Sequence, residues 1–178
     1  MHLILPLIPA ALLAACAYPE PVGGPPMPLV NAAGQSAGTV SAWQTAGGIG
    51  LRIQASGLPH GIHGIHVHAV GRCDGPKFES AGPHWNPANR KHGLSNPAGP
   101  HGGDVPNVTV AANGVLSTIV TVPGASLNGP PGAPGNLADG DGAALVIHAK
   151  ADDNLTDPSG NSGDRIACAI LVPSPLGT

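Results

Sequence analysis

Short segments in which apolar and polar residues alternate recur along most of the chain. A period of two, together with the abundance of Val, Ile and Thr in these segments, is typical of β-strands that bury one face. No stretch has the 3.6-residue period of an amphipathic helix. The pattern predicts about eight strands: one near Leu29 and the segments Thr39–Gln44, Gly50–Ala55, Gly61–Ala69, Val108–Ala112, Val115–Val122, Ala143–Ala149 and Ile166–Val172.

Long connections separate several of these strands, at 71–107, 123–142 and 150–165. Connections of this length in a compact domain are usually functional or disordered. The pair Asn113-Gly114, which lies between two alternating segments, predicts a hairpin with a type I′ turn. We therefore predict an all-β fold, an antiparallel sandwich or flattened barrel whose long loops carry function.

The composition supports a folded domain despite 27 glycines and 21 prolines among 178 residues. Charged residues make up only 10% of the chain and hydrophobic residues 42%, so the chain can bury a core. Aromatic residues amount to 2%, so that core must consist of Val, Ile, Leu and Ala. The length predicts one domain. The net charge of −3 excludes the usual basic surface for nucleic acid, and we expect no such partner.

The N-terminus predicts export. The apolar run at 3–15 is shorter than the roughly 20 residues that span a bilayer, and it is typical of a signal peptide. It ends in LAAC at 13–16, which resembles the bacterial lipobox and predicts cleavage before Cys16 and lipidation of that residue. The alternative is simple secretion with cleavage near Ala17, because the first two residues carry no Lys or Arg. We expect a signal peptide at 1–15, a lipid-anchor Cys and Pro/Gly tether at 16–28, and one domain at 29–178.

This organisation predicts a lipoprotein of the cell envelope, periplasmic and anchored to the outer membrane, which touches the membrane only through Cys16. It also accounts for three cysteines. With Cys16 as the anchor, Cys73 and Cys168 remain as one pair in an oxidising compartment, and we predict a disulfide between them. The alternative is two free buried thiols.

Histidine is unusually frequent, and seven of the nine histidines lie between positions 60 and 101. In IHVH at 65–68, strand alternation places His66 and His68 on one face and Ile65 and Val67 on the other. Two such histidines alone are more often surface residues than metal ligands. His148 from another strand can join them in an all-nitrogen site with an open position, as Cu(II) prefers.

The connection at 71–107 adds a second group of candidate ligands. His84, His92, His101 and Asp104 come from this one Gly/Pro-rich segment. Three imidazoles and one carboxylate suit a closed tetrahedral zinc site, and a metal can organise a loop that lacks regular structure.

Six motifs together resemble the copper/zinc superoxide dismutase family. They are HVH at 66–68, SAGPHWNP at 80–87, RKHG at 90–93, HGGD at 101–104, VIHAKADD at 146–153 and GDRIAC at 163–168. They lie in the family's order and cover nearly all of 37–172. The resemblance implies an eight-stranded Greek-key barrel or sandwich.

The resemblance also implies the chemistry. Copper alternates between Cu(II) and Cu(I) beside a structural zinc, and two superoxide anions become dioxygen and hydrogen peroxide. The implied copper ligands are His66, His68, His84 and His148, and the implied zinc ligands are His84, His92, His101 and Asp104. His84 is then shared by both metals and is catalytic. The family's oligomeric states leave a monomer or a homodimer open.

Three further residues receive roles from the resemblance. Arg165 corresponds to the catalytic arginine that attracts the anion beside copper. Asp152 corresponds to an aspartate that links a copper-ligand histidine, either His68 or His66, to the zinc-ligand His92. His63 corresponds to a buried residue that makes hydrogen bonds and binds no metal.

Two other classes of protein compete with this interpretation. A non-enzymatic copper-binding domain on the same fold would usually lack a copper ligand or the arginine, whereas His148 and Arg165 are both present. A purely structural zinc domain would leave His66, His68 and His148 without a role.

Overall fold

A computed structural model of the chain describes residues 24–130 and 132–175. The proposed signal peptide, Cys16 and most of the tether lie outside these residues. Among the described residues the only helical element is a one-turn 3-10 helix, Glu79–Ala81. Nine strands make up the rest of the regular structure: β1 Met27–Asn31, β2 Ser36–Thr45, β3 Gly48–Ala55, β4 Gly61–His63, β5 Ile65–His68, β6 Val108–Val110, β7 Leu116–Pro123, β8 Ala143–His148 and β9 Arg165–Val172. The predicted all-β class is confirmed. In the described part of the chain, no helix has the length and apolar character needed to cross a membrane.

Seven strands form one curled antiparallel sheet, in the order β5-β8-β9-β1-β2-β3-β7. The remaining pair, β4 and β6, forms a small second sheet. The core between them is aliphatic, as the scarcity of aromatic residues predicts. Its fully buried members include Leu29, Leu51, Ile53, Val67 and Leu145.

The predicted strand Gly61–Ala69 is two strands, because the chain changes partner at Gly64. Before this residue β4 pairs with β6, and after it β5 pairs with β8. The Gly64 N–H donates to the carbonyl of Lys150, and the Gly64 carbonyl accepts the N–H of His148, both at 2.8 Å. Gly64 therefore joins the two sheets at the point where β8 ends.

The predicted hairpin at Asn113-Gly114 is also different in the structure. Gly114 has a φ of 77°, but Asn113 does not adopt a positive φ, so the turn is not type I′. The Gly114 N–H donates to the Ala111 carbonyl, and the Ala111 N–H donates to the Val115 carbonyl. Beyond this turn the two arms separate, because β6 pairs with β4 and β7 pairs with β3.

The predicted disulfide between Cys73 and Cys168 is confirmed. It ties the connection between β5 and β6, which we call the metal loop (69–107), to the middle of β9. Cys168 belongs to a second apolar cluster with the fully buried Phe78, Ala144 and Val146. Covalent attachment and packing therefore fix the start of the metal loop against β8 and β9.

Candidate metal centre

The sheet presents three histidines on the side opposite its core. Ile65 and Val67 of β5 belong to the core, as alternation predicts, so His66 and His68 face the other way. Both side chains are nevertheless fully buried, because the metal loop covers them. His148 ends β8, the strand that pairs with β5.

Backbone hydrogen bonds attach the metal loop to the free edge of β5. The Trp85 N–H donates to the Val67 carbonyl at 2.8 Å, and the Val67 N–H donates to the Gly103 carbonyl at 2.9 Å. A Cβ at Gly103 would lie 2.2 Å from the Val67 carbonyl oxygen, so only glycine permits this approach. As a result, His84 lies beside His68, and Asp104 lies beside His66.

Four ring nitrogens converge on one point without a protein partner. They are Nδ1 of His66 and Nε2 of His68, His84 and His148, and all four are buried without a hydrogen bond. Ligand atoms of these four residues lie within 4.8 Å of one another. We call them the four-histidine set. Buried polar atoms are normally paired, so four unpaired acceptors that face one point fit a cation-binding site.

The opposite ring nitrogens of this set are held by hydrogen bonds. Nδ1 of His68 lies 2.9 Å from the Gly82 carbonyl, and Nδ1 of His148 lies 3.1 Å from the Gly163 carbonyl. A ring nitrogen next to a carbonyl must carry the proton, so the other nitrogen of the same neutral ring is left as an acceptor. These bonds select the tautomer that a metal needs.

Burial lowers the pKa of three histidines in the four-histidine set, His66, His68 and His148. It lowers the pKa of His66 to about 4 although Asp152 opposes the shift, and it lowers the pKa of His148 to about 3. Burial likewise holds the pKa of His68 well below its usual value. Neutral imidazole is the form that ligates metals, so the site is prepared for a cation at neutral pH.

A second group of donors surrounds Asp104, and we call it the zinc-type set: His84, His92, His101 and Asp104. Oδ1 of Asp104 lies 3.0, 3.1 and 3.4 Å from Nδ1 of His84, His92 and His101 respectively. Nδ1 of His101 is also 3.4 Å from Nδ1 of His84. Ligands about 2.0 to 2.1 Å from a tetrahedral zinc lie about 3.3 Å apart, so these spacings fit that ion.

His66 also has a ligand atom within 4.8 Å of His84, His92 and Asp104. Its Nε2 is bonded to Asp152, however, and its Nδ1 belongs to the four-histidine set. Nδ1 of His101, in contrast, faces Oδ1 of Asp104 at 3.4 Å. Burial raises the pKa of Asp104. Hydrogen bonds from His84, His92 and the Gly93 N–H outweigh burial and hold that pKa well below its usual value.

Asp152 connects the two sets. Its Oδ2 accepts from Nε2 of His66 at 2.7 Å, and its Oδ1 accepts from Nε2 of His92 at 3.0 Å. Of the two alternatives, His66 and not His68 is the partner. Burial lowers the pKa of His92, but its bonds to Asp104 and Asp152 prevail and raise it to about 9. The side chain of Asn107, which sequence reasoning missed, holds the Asp152 backbone: its Nδ2 donates to the Asp152 carbonyl and its Oδ1 accepts the Asp152 N–H, both at 2.8 Å.

Arg165 begins β9 and is half-buried beside the four-histidine set. Its Nη1 donates to the Phe78 carbonyl, and its Nη2 donates to the Gly82 carbonyl at 2.8 Å. The Gly82 carbonyl also accepts from His68, so one carbonyl orients both the Arg165 guanidinium and a histidine of the four-histidine set. Arg165 lines a cavity of about 590 Å³ together with Lys77, Glu79 and Gly163.

The two remaining histidines of the 60–101 cluster stand apart from both sets. His63 is buried, and its ring contacts the His148 carbonyl at 2.8 Å and the Pro59 carbonyl at 2.9 Å. It therefore supports the end of β8 and offers no nitrogen to a metal. His60 is exposed in the bend before β4.

Known proteins resemble this chain over the same strands and loops. The sequence model of the family described as copper/zinc superoxide dismutase matches residues 36–171. The superoxide dismutase-like protein YojM of Bacillus subtilis is 43% identical over 146 residues, which are 81% of this chain and 74% of the relative. Superoxide dismutase (Cu-Zn) 1 of Aquifex aeolicus is 41% identical over 144 residues, 80% of this chain and 84% of the relative.

Solved structures give the same result. The crystal structure of a SOD-like protein from Bacillus subtilis has a TM-score of 0.79 and 42% identity, covering 84% of this chain and all of that one. The Cu/Zn superoxide dismutase from Brucella abortus has a TM-score of 0.64 and 27% identity, covering 82% of this chain and 97% of that one.

Proposed function

This chain belongs to the copper/zinc superoxide dismutase family, and from that membership we propose that its four-histidine set holds copper and its zinc-type set holds zinc. The reaction combines two superoxide anions and two protons into dioxygen and hydrogen peroxide. One superoxide is oxidised by one electron and the other is reduced by one electron, so charge and atoms balance.

One observation carries the proposal: four buried ring nitrogens converge without a partner. Besides these four, the only unpartnered buried side-chain polar atom among the described residues is Oγ of Ser162. A site without a cation would leave four acceptors desolvated, each at a cost of about 1 to 3 kcal/mol. Four nitrogen donors suit copper, and three imidazoles with one carboxylate suit zinc.

When bound, copper supplies the one-electron redox chemistry, and zinc, which has no redox chemistry, supplies charge and order. His84 contributes one nitrogen to each set, Nε2 to the four-histidine set and Nδ1 to the zinc-type set. With both metals bound, this ring would give up its ring protons, because two cations favour the deprotonated form. Nε2 of His84 is then the atom at which this chain can hold and release a proton that peroxide formation consumes.

Arg165 supplies positive charge to the anion. Two of its nitrogens are fixed by the Phe78 and Gly82 carbonyls, so the guanidinium is oriented before substrate arrives. Since the Gly82 carbonyl also orients His68, the Arg165 guanidinium is held in a fixed position relative to the four-histidine set. Preorganised charge of this kind lowers a barrier without reorganisation during the reaction.

The test is the decay of a superoxide pulse in the presence of the protein loaded with copper and zinc. We expect a rate near the diffusional ceiling of about 10⁸ to 10⁹ M⁻¹s⁻¹. Arg165→Ala should slow the decay while copper content is retained, and His148→Ala should reduce both. Decay no faster than that of the metal-free protein, with copper bound, would contradict dismutation and leave copper storage or delivery.

We further propose that the chain is exported and lipidated at Cys16. The disulfide between Cys73 and Cys168 supports export, because such bonds persist in oxidising compartments. Mass spectrometry of the mature protein should find a lipid on an N-terminal Cys16, and Cys16→Ser should move the protein from the membrane fraction to the soluble fraction. A mature N-terminus near Ala17 without lipid would support simple secretion instead.

A further inference from the structure

Asp157 lies in the connection between β8 and β9 and reaches the metal loop from outside. Its Oδ1 accepts the backbone N–H of His92 at 2.7 Å and lies 3.8 Å from Nε2 of His101. Its Oδ2 lies 3.0 Å from Nζ of Lys91. Two of these three contacts are with residues of the zinc-type set, on the side away from their metal-facing nitrogens.

His101 is the most exposed histidine of the zinc-type set. Its side chain is 9% exposed, compared with 5% for His84 and 0% for His92. Asp157 is the only polar contact of its Nε2 among the described residues. A cavity of about 750 Å³ reaches this residue and is lined by His84, Lys91, His101 and Asp157. Solvent or a chelator therefore approaches the set at His101.

We propose that Asp157 is a positioning residue for zinc, which orients the His101 ring and fixes the His92 backbone so that zinc leaves slowly. A carboxylate beside the far nitrogen of a metal-bound histidine fixes the ring and strengthens it as a ligand. The separation of 3.8 Å is longer than a direct hydrogen bond, so the carboxylate acts on the Nε2 side of the His101 ring electrostatically. This inference rests on the zinc ligands assigned under the proposed function.

The experiment measures the rate at which zinc passes from the copper- and zinc-loaded protein to a chromogenic chelator. Asp157→Ala removes all three contacts and should release zinc about tenfold faster, the lower end of the usual effect of such residues. Asp157→Asn keeps an acceptor for the His92 N–H and should give a smaller acceleration. Asp141→Asn, which removes one exposed acid in another loop, should release zinc within twofold of the unsubstituted protein.

Lys91→Gln removes the exposed ion pair between Lys91 and Asp157 but keeps the contacts of Asp157 with His92 and His101. This variant therefore tests whether the ion pair alone slows zinc release. It should also stay within twofold. An unchanged release rate in Asp157→Ala would overturn the inference, and so would an equal acceleration in Lys91→Gln.

Cobalt(II) placed in the zinc-type set supplies a readout that a merely structural role would not change. Its visible absorption bands should shift in Asp157→Ala, because the His101 ring turns. Bands identical to those of the unsubstituted protein, with a lower unfolding temperature of the metal-free variant, would show a structural role and overturn the inference. Failure of the unsubstituted protein to bind zinc would overturn the ligand assignment itself. Superoxide decay by the loaded, unsubstituted protein is measured separately, so that a failure of the dismutase reaction is distinguished from a failure of this inference.

Discussion

Asp152→Asn is predicted to weaken the copper site more than the zinc site, and the reason is the number of donors that face each oxygen. Oδ1 of Asp152 faces two N–H groups, from His92 and from the Asn154 backbone at 2.6 Å. Oδ2 faces one, from His66. The new amide has one acceptor and one donor end. It should turn its oxygen toward the two donors and its NH₂ group toward His66.

The magnitude follows from the bond that is lost. A hydrogen bond to a charged group contributes about 1.5 to 3 kcal/mol. Since about 1.4 kcal/mol is a factor of ten, copper affinity should fall by about 10- to 150-fold. The His92 partner keeps its acceptor, so zinc affinity should change much less.

The assay is competition with chelators of known affinity, for copper and for zinc separately. Asp153→Asn is the matched control, because the adjacent carboxylate accepts only from Leu155, Thr156 and Asn161 and lies at the surface. It should alter neither affinity. Weaker zinc binding with unchanged copper affinity in Asp152→Asn would contradict this orientation of the amide.

Three further predictions concern stability. Ser162→Ala should raise the free energy of unfolding in urea by about 1 kcal/mol, because it removes a fully buried hydroxyl without a partner; a decrease would contradict this. Gly103→Ala should lower it by about 1 to 3 kcal/mol, because the new Cβ meets the Val67 carbonyl, whereas Gly47→Ala, in open space, should have little effect; equal effects would count against the attachment of the metal loop to β5. The metal-free protein should lose stability as the pH falls from 6.5 to about 4, because the folded pKa values of His66 and His148 are lowered to about 4 and about 3. The unfolded chain therefore takes up these protons first, at a cost of up to about 1.4 kcal/mol per pH unit for each histidine. Urea titrations at pH 7, 6 and 5 check it, and constant stability would oppose it.

Much of the fold and most of the candidate site follow from sequence patterns. Alternation at 65–68 places Ile65 and Val67 in the core and two histidines opposite, since strand geometry leaves no other choice. The disulfide pair can also be predicted without knowledge of the fold. It follows from the number of cysteines and from the oxidising compartment that the N-terminus predicts.

What the sequence could not provide is determined by contacts between distant segments. The partner change at Gly64 depends on where β8 ends, 84 positions later at His148. The strands on either side of Asn113-Gly114 separate because β6 pairs with β4 whereas β7 pairs with β3. Asn107 and Asp157 act through backbone groups of other loops, and no spacing in the chain marks them.

The most direct test of the account is anomalous diffraction from crystals of the copper- and zinc-loaded protein at the absorption edges of both metals. Copper should lie among Nδ1 of His66 and Nε2 of His68, His84 and His148, and zinc among Nδ1 of His84, His92 and His101 and the Asp104 carboxylate. Two metals sharing the His84 ring would establish the centre. Copper bound elsewhere, or a His84 ring that contacts one metal only, would contradict it.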